Sequence, residues 1–225
     1  MCTLSVIAVD SGFRVVHNRD ELRSRSEGES PVWHELPGGL RAIYPTDPDA
    51  GGTWIAARND GVVYAILNVN PSAPGADRTV SRGRVILDLL SQPADAPLRH
   101  PESARMRSYR VVRVRRGSTQ ILVETHRSFG DASETTASPL ARPCAWASSG
   151  LGDDRVQPRI PLFSERVGAA ASRIAQDDYH RHRWPDRPEI SVLMTRDDAR
   201  TTAITTIEVD SDGVRMGYEP IAVEL

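Results

Sequence analysis

No lysine occurs anywhere in the 225 residues, so all 28 basic side chains are arginines. That absence excludes Schiff-base chemistry, a pyridoxal phosphate anchor, a phosphate-loop lysine and a Ser-Lys dyad. Cysteine is nearly absent too. Cys2 and Cys144 lie far apart and form no CxxC pair, so neither a disulfide framework nor a structural zinc site is indicated, and a reducing compartment is expected. No apolar stretch approaches the roughly 18 residues of a membrane span, and no basic leader with a long apolar core opens the chain; a cytoplasmic protein without a membrane span is the expectation. Charge of one sign is missing as well: 30 acidic against 28 basic residues leave a net charge of −2, which argues against nucleic acid and for a small-molecule partner. HExxH, phosphate-loop, dinucleotide and GxSxG patterns do not occur, so metalloprotease, NTPase, dehydrogenase and lipase chemistry have no footing, and no cofactor or metal is expected.

What is present is a succession of short apolar runs cut by turn formers, the pattern of antiparallel strands. Residues 2–9 and 13–18 flank Asp10-Ser11-Gly12, residues 32–36 and 40–44 flank Pro37-Gly38-Gly39, and residues 53–57 and 62–68 flank Arg58-Asn59-Asp60-Gly61, predicting three hairpins. Residues 45–52 read as irregular; the Asp47-x-Asp49 spacing there is a turn, not a calcium loop, because Pro48 intrudes and the bidentate glutamate is missing. Ser81 is a good cap for a helix reaching Leu90, and a second short helical stretch is expected over 102–107. Residues 109–115 and 119–124 read as a hairpin. The Ser/Thr/Ala-rich segment 128–143 reads as a surface loop, 144–148 as a buried strand, 162–175 as a helix, and 190–195, 203–209 and 214–221 as strands. With no repeat or linker dividing the chain, the expectation is a single α+β domain over 1–225, with two sheets and helices outside.

Cys2 begins the first of these strands. It reads as a small apolar strand residue or as something more: removal of Met1, which so small a second residue permits, would put a thiol and a free α-amine on one residue. With reference pKa values of about 8.5 and about 7.7–8.0, the two can exchange a proton near neutrality and yield an attacking thiolate. The block His17-Asn18-Arg19-Asp20-Glu21 closes the second strand, and a hairpin returns that end to Cys2. A guanidinium there would favour thiolate and a carboxylate would orient the amine; a solvated charged cluster is the plainer alternative.

Met1-Cys2-Thr3, Asn18-Arg19-Asp20-Glu21, Gly51-Gly52-Thr53-Trp54, Leu67-Asn68, Ser81-Arg82-Gly83 and Ser148-Ser149-Gly150-Leu151, in that order, resemble the NRDE family, the transport and Golgi organisation protein 2 homologues. The resemblance implies a fold similar to the N-terminal nucleophile hydrolases, a four-layer αββα sandwich of two mainly antiparallel sheets. It is closest to the cysteine branch of penicillin V acylase, bile salt hydrolase and acid ceramidase, which cleave linear amides.

It further implies catalytic roles for Cys2 as nucleophile, Arg19 as its thiol contact seventeen residues on, Asp20 at the amine and Asn68 as oxyanion donor. Asn18, Glu21, Trp54, Arg82, Ser148 and Ser149 are the candidate substrate-binding residues. Leu22 stands where the branch has an aspartate, so either Asp20 serves the amine instead or the hydrolase chemistry has been lost. The ligand would be an amide or other acyl compound. A non-catalytic alternative on the same fold binds haem or a lipid or acyl thioester for trafficking, with Cys2, His17 or His34 facing a haem-like ligand. His180 and His182, beside Arg181 and Arg183, read as a solvated patch.

Overall fold

A computed structural model describes residues 2–71 and 79–222; the fate of Met1 lies outside them. Among the described residues twelve strands form two antiparallel sheets. The first contains β1 (Cys2–Val9), β2 (Gly12–Leu22), β10 (Cys144–Ser148), β11 (Ala199–Asp210) and β12 (Gly213–Pro220) in the order β10-β1-β2-β11-β12. The second is a seven-stranded meander of β3 (Glu29–Glu35), β4 (Arg41–Thr46), β5 (Ile55–Arg58), β6 (Val63–Asn68), β7 (Tyr109–Arg116), β8 (Ile121–Phe129) and β9 (Ala132–Pro139).

The two-residue period of β1 sorts its side chains between layers. Cys2, Leu4 and Val6 enter the core between the sheets with Ile55, Ala65 and Val112. On the other face, Ile7 packs with Phe163 and Tyr179 of the two helices α2 (Arg159–Arg166) and α3 (Arg173–His180), and Thr3 and Ser5 hydrogen-bond to side chains of the same helices. Helix α1 (Gly83–Leu90) buries Val85, Ile86, Leu89 and Leu90 and packs on β5 and β6. The result is the expected α+β arrangement of two face-to-face sheets with helices outside.

Several local expectations are corrected. Residues 128–143 are not a surface loop: they include β9, paired with β8 from Leu122↔Pro139 to Phe129↔Ala132. Every residue of β9 is exposed, so no apolar alternation betrays the strand; the ladder and a 2.7 Å contact between the Thr125 and Thr136 hydroxyls hold it. Residues 162–175 are not one helix. The chain leaves α2 at Val167-Gly168, where a β-carbon on Gly168 would fall 2.3 Å from the Ser164 carbonyl oxygen, and α3 restarts after Ser172, whose hydroxyl accepts the Ala175 N–H at 3.1 Å.

Residues 190–195 are not a strand either. Ile190, Ser191, Val192 and Met194 are buried, but the backbone bonds go elsewhere: Leu193 N–H to the His182 carbonyl, Met194 N–H to the Thr201 hydroxyl, and the Val192 carbonyl to Asn18. Pro45 and Thr46, expected in the irregular segment, belong to β4. Helix α1 begins two residues after Ser81, whose hydroxyl still accepts the Gly83 N–H at 3.3 Å.

Candidate active site

In the β1–β2 ladder Cys2 stands directly opposite Arg19, and in the β1–β10 ladder opposite Ser148. The hairpin thus does what its sequence predicted and returns the charged block to the start of the chain. A cavity of about 200 Å³ opens there, where β1 begins, β6 ends and α1 starts. Cys2, Arg19, Asp20 and Asn68 all line it, as do Glu21, Trp54 and Arg82. Its wall is completed by a close approach of two backbones: a β-carbon on Gly52 would lie 2.6 Å from the Gly83 backbone.

Cys2 is 8% exposed. Burial is the main effect on its thiol and pushes it above the ordinary value; the charge of the amino terminus, the Asp20 backbone N–H and the Arg19 guanidinium pull the other way, while the Asp20 carboxylate adds to the rise. Arg19 is itself buried and held on three sides. Its Nη2 lies 3.4 Å from Asp47 Oδ2 and 3.5 Å from Glu21 Oε2, its Nη1 donates to Thr202 Oγ1 at 3.3 Å, and its guanidinium lies 4.5 Å from the centre of the Trp54 ring.

Arg25 and Asp47, which sequence reasoning left out of the site, complete this cluster. Arg25 Nη2 donates to both Asp47 oxygens at 2.8 and 2.7 Å, and Ser26 Oγ donates to Asp49 Oδ1 at 2.7 Å. The two aspartates of the Asp47-x-Asp49 turn are therefore clasped by an arginine and a serine. Among the described residues no group of three or more His, Cys, Asp or Glu is placed to hold a metal ion.

Asp20 is anchored below the sheet. Its Oδ1 accepts the Thr201 hydroxyl at 2.6 Å, and its Oδ2 lies 3.4 Å from Nη1 of Arg159, a side chain 1% exposed that also donates to Thr3 Oγ1 at 2.7 Å and to the Ile190 carbonyl at 3.0 Å. Arg159 carries no local sequence signal; its partner lies 139 positions away. Arg82 donates to the Ser108 carbonyl at 3.1 Å, and Asn68 sits half-buried at the end of β6.

Three candidates are not brought to the cavity. Asn18 is fully buried on the helix side of β2: its Nδ2 donates to the carbonyls of His180 and Val192, both at 2.9 Å, which leaves Oδ1 to accept from His180 Nδ1 at 2.7 Å. With Nδ1 as donor, His180 Nε2 accepts the Ser5 hydroxyl at 2.7 Å. The row Ser5-His180-Asn18 has the connectivity of a nucleophile, base and orienter, but all three residues are fully buried under α3 and none lines the Cys2 cavity, so it acts as a clasp. His180 is therefore not part of a solvated patch. Ser148 is buried, and Ser149 shapes the following turn by accepting the Leu151 N–H at 3.1 Å. Neither His17, buried two pairs along the β1–β2 ladder from Cys2, nor His34, stacked on Tyr44 at 4.1 Å, lines the cavity with Cys2.

Burial is the main cause that holds both His17 and His180 neutral, His17 down to about 3 and His180 well below the ordinary value. The unfolded chain takes up these protons below about pH 6.5 and the folded chain does not, so their contribution is complete above that pH and is lost as the pH falls toward about 3 for His17. The free energy of urea unfolding, measured from about pH 7.5 down to about 4.5, is expected to drop by up to about 1.4 kcal/mol per pH unit for each histidine. The variant His17→Leu should lose part of that slope, and a flat profile in the parent protein would contradict the assignment.

A family model described as Transport and Golgi organisation 2 matches residues 1–127. No curated protein matches the chain. Among solved structures, the Caenorhabditis elegans N-acylethanolamine-hydrolyzing acid amidase (NAAA) ortholog aligns with a TM-score of 0.56 over 98% of this chain and 100% of that one, at 12% identity. At that identity the likeness is one of fold. Among the described residues no helix is long and apolar enough to cross a membrane.

Proposed function

The chain belongs to the Transport and Golgi organisation 2 family, and from that membership and the cavity at the start of β1 we propose that it is an N-terminal-cysteine hydrolase, cleaving a linear amide or related acyl bond of a small molecule through Cys2. One observation carries the reading: the only thiol lining this cavity is paired across the β1–β2 ladder with a buried arginine. The fold shared with an amide-hydrolysing enzyme supports it.

In this reaction, loss of Met1 exposes the Cys2 α-amine, which accepts the thiol proton. Because burial resists ionisation of that thiol, the thiolate forms only as the acyl group arrives, stabilised by Arg19 and the Asp20 N–H. Asp20, fixed by Thr201 and Arg159, orients the amine. Sulfur attacks the carbonyl carbon, the developing oxyanion is received by the Asn68 amide, and the leaving amine takes the proton back as the C–N bond breaks. A water activated by the same amine then hydrolyses the thioester and frees Cys2. Intact-mass analysis of protein with Cys2 at its terminus, after exposure to amides, activated esters and thioesters, is expected to show one acyl group on Cys2. No adduct from any of them retires the reading.

A further inference from the structure

We infer that the acyl group handled at Cys2 is short and carries hydrogen-bonding or ionic substituents, as in amides of hydroxy acids and amino acids, and is not a long alkyl chain. The inference rests on the acyl-transfer reading above and names its substrate class. Three features of the cavity support it.

The first is size. At about 200 Å³ the space beside the thiol is smaller than the roughly 300–1,000 Å³ of pockets that take drug-sized ligands. The second is the chemistry of the wall. Arg19, Arg25 and Arg82 line it together with Glu21 and Asp47, whose carboxylates pair with Arg19 and Arg25, and the apolar contribution is confined to Ala50, Ile66 and Trp54, the last stacked against the Arg19 guanidinium at 4.5 Å. A methylene chain gains on leaving water only against apolar surface, and here it would strip water from ion pairs and return nothing. Hydroxyl, amide, ammonium or carboxylate substituents would instead exchange hydrogen bonds with a wall that offers both guanidinium donors and carboxylate acceptors.

The third is that a larger and less polar space lies elsewhere. A cleft of about 560 Å³, walled by Val123, Leu140 and Trp146, opens between β8–β9 and β10, and none of the residues lining it also lines the Cys2 cavity. Its own thiol, Cys144, is pushed up to about 12 by burial, which disfavours the thiolate.

The test uses the full chain carrying Cys144→Ser and reads the alkylation rate of Cys2 by mass spectrometry with three probes: iodoacetamide, iodoacetyl-glycine and N-octyl iodoacetamide, each normalised to its rate with glutathione. The expected result is roughly tenfold slower modification by the octyl probe, with the glycine conjugate matching or exceeding iodoacetamide. Octyl modification as fast as, or faster than, the others overturns the inference. These rates need no turnover, so the two ideas fail separately. Polar selectivity in a protein that forms no acyl adduct removes the hydrolase and keeps the cavity's preference; adducts that form fastest from octanoyl donors keep the hydrolase and remove the preference.

Discussion

Cys2→Ser is expected to lower acyl-adduct formation by at least about a thousandfold while leaving the fold intact. The substitution keeps the size of the side chain but puts a hydroxyl for a thiol at a core position 8% exposed, so a loss of about 1–3 kcal/mol in stability is expected. Chemically the change is large. A thiol can pass its proton to a neighbouring amine with an accessible pKa, whereas a serine hydroxyl cannot be ionised by the same base, and the help given by Arg19 and the Asp20 N–H has no thiolate to act on. Arg19→Gln provides the companion measurement. It keeps a hydrogen-bond donor near Thr202 but removes the charge, so Cys2 alkylation should need a higher pH than in the parent protein. Adducts that persist in Cys2→Ser would place the nucleophile elsewhere.

Arg159→Met should destabilise the protein by about 3–5 kcal/mol, measured as the free energy of urea unfolding. The side chain is 1% exposed and so is Asp20, its ionic partner. Methionine fills much of the volume but supplies no donor, leaving a buried carboxylate, the Thr3 hydroxyl and the Ile190 carbonyl with one partner fewer each. Adding Asp20→Asn removes the uncompensated charge, and the double variant is expected to be more stable than Arg159→Met alone. If Arg159→Met costs no more than a surface substitution, the anchoring of Asp20 lies elsewhere.

The parts of this molecule that were legible in its sequence are those governed by short-range rules. Alternation and a tight turn specified the β1–β2 hairpin, and the hairpin alone brings Arg19 to Cys2. The same period of two also explains a misplacement: Asn18 precedes Arg19 by one residue, so its side chain falls on the opposite face and meets α3 instead of the cavity. Strand β9 escaped notice because a strand exposed on both faces needs no hydrophobic pattern. Arg159 escaped because a buried arginine is written in the sequence no differently from a solvated one; only the fold brings it to Asp20. The Arg25–Asp47 clasp was half visible, since the turn of aspartates stood out while its cationic partner did not.

The opening strand presents its residues to two different layers by turns, Cys2 toward the second sheet and Thr3 toward Arg159 beneath. It therefore tolerates changes of letter far better than changes of count. One codon gained or lost between Cys2 and the Asp10-Ser11 turn would invert the strand, turning the sulfur down toward the helices and lifting a hydroxyl into its place. Length in this stretch is thus under a stricter constraint than composition.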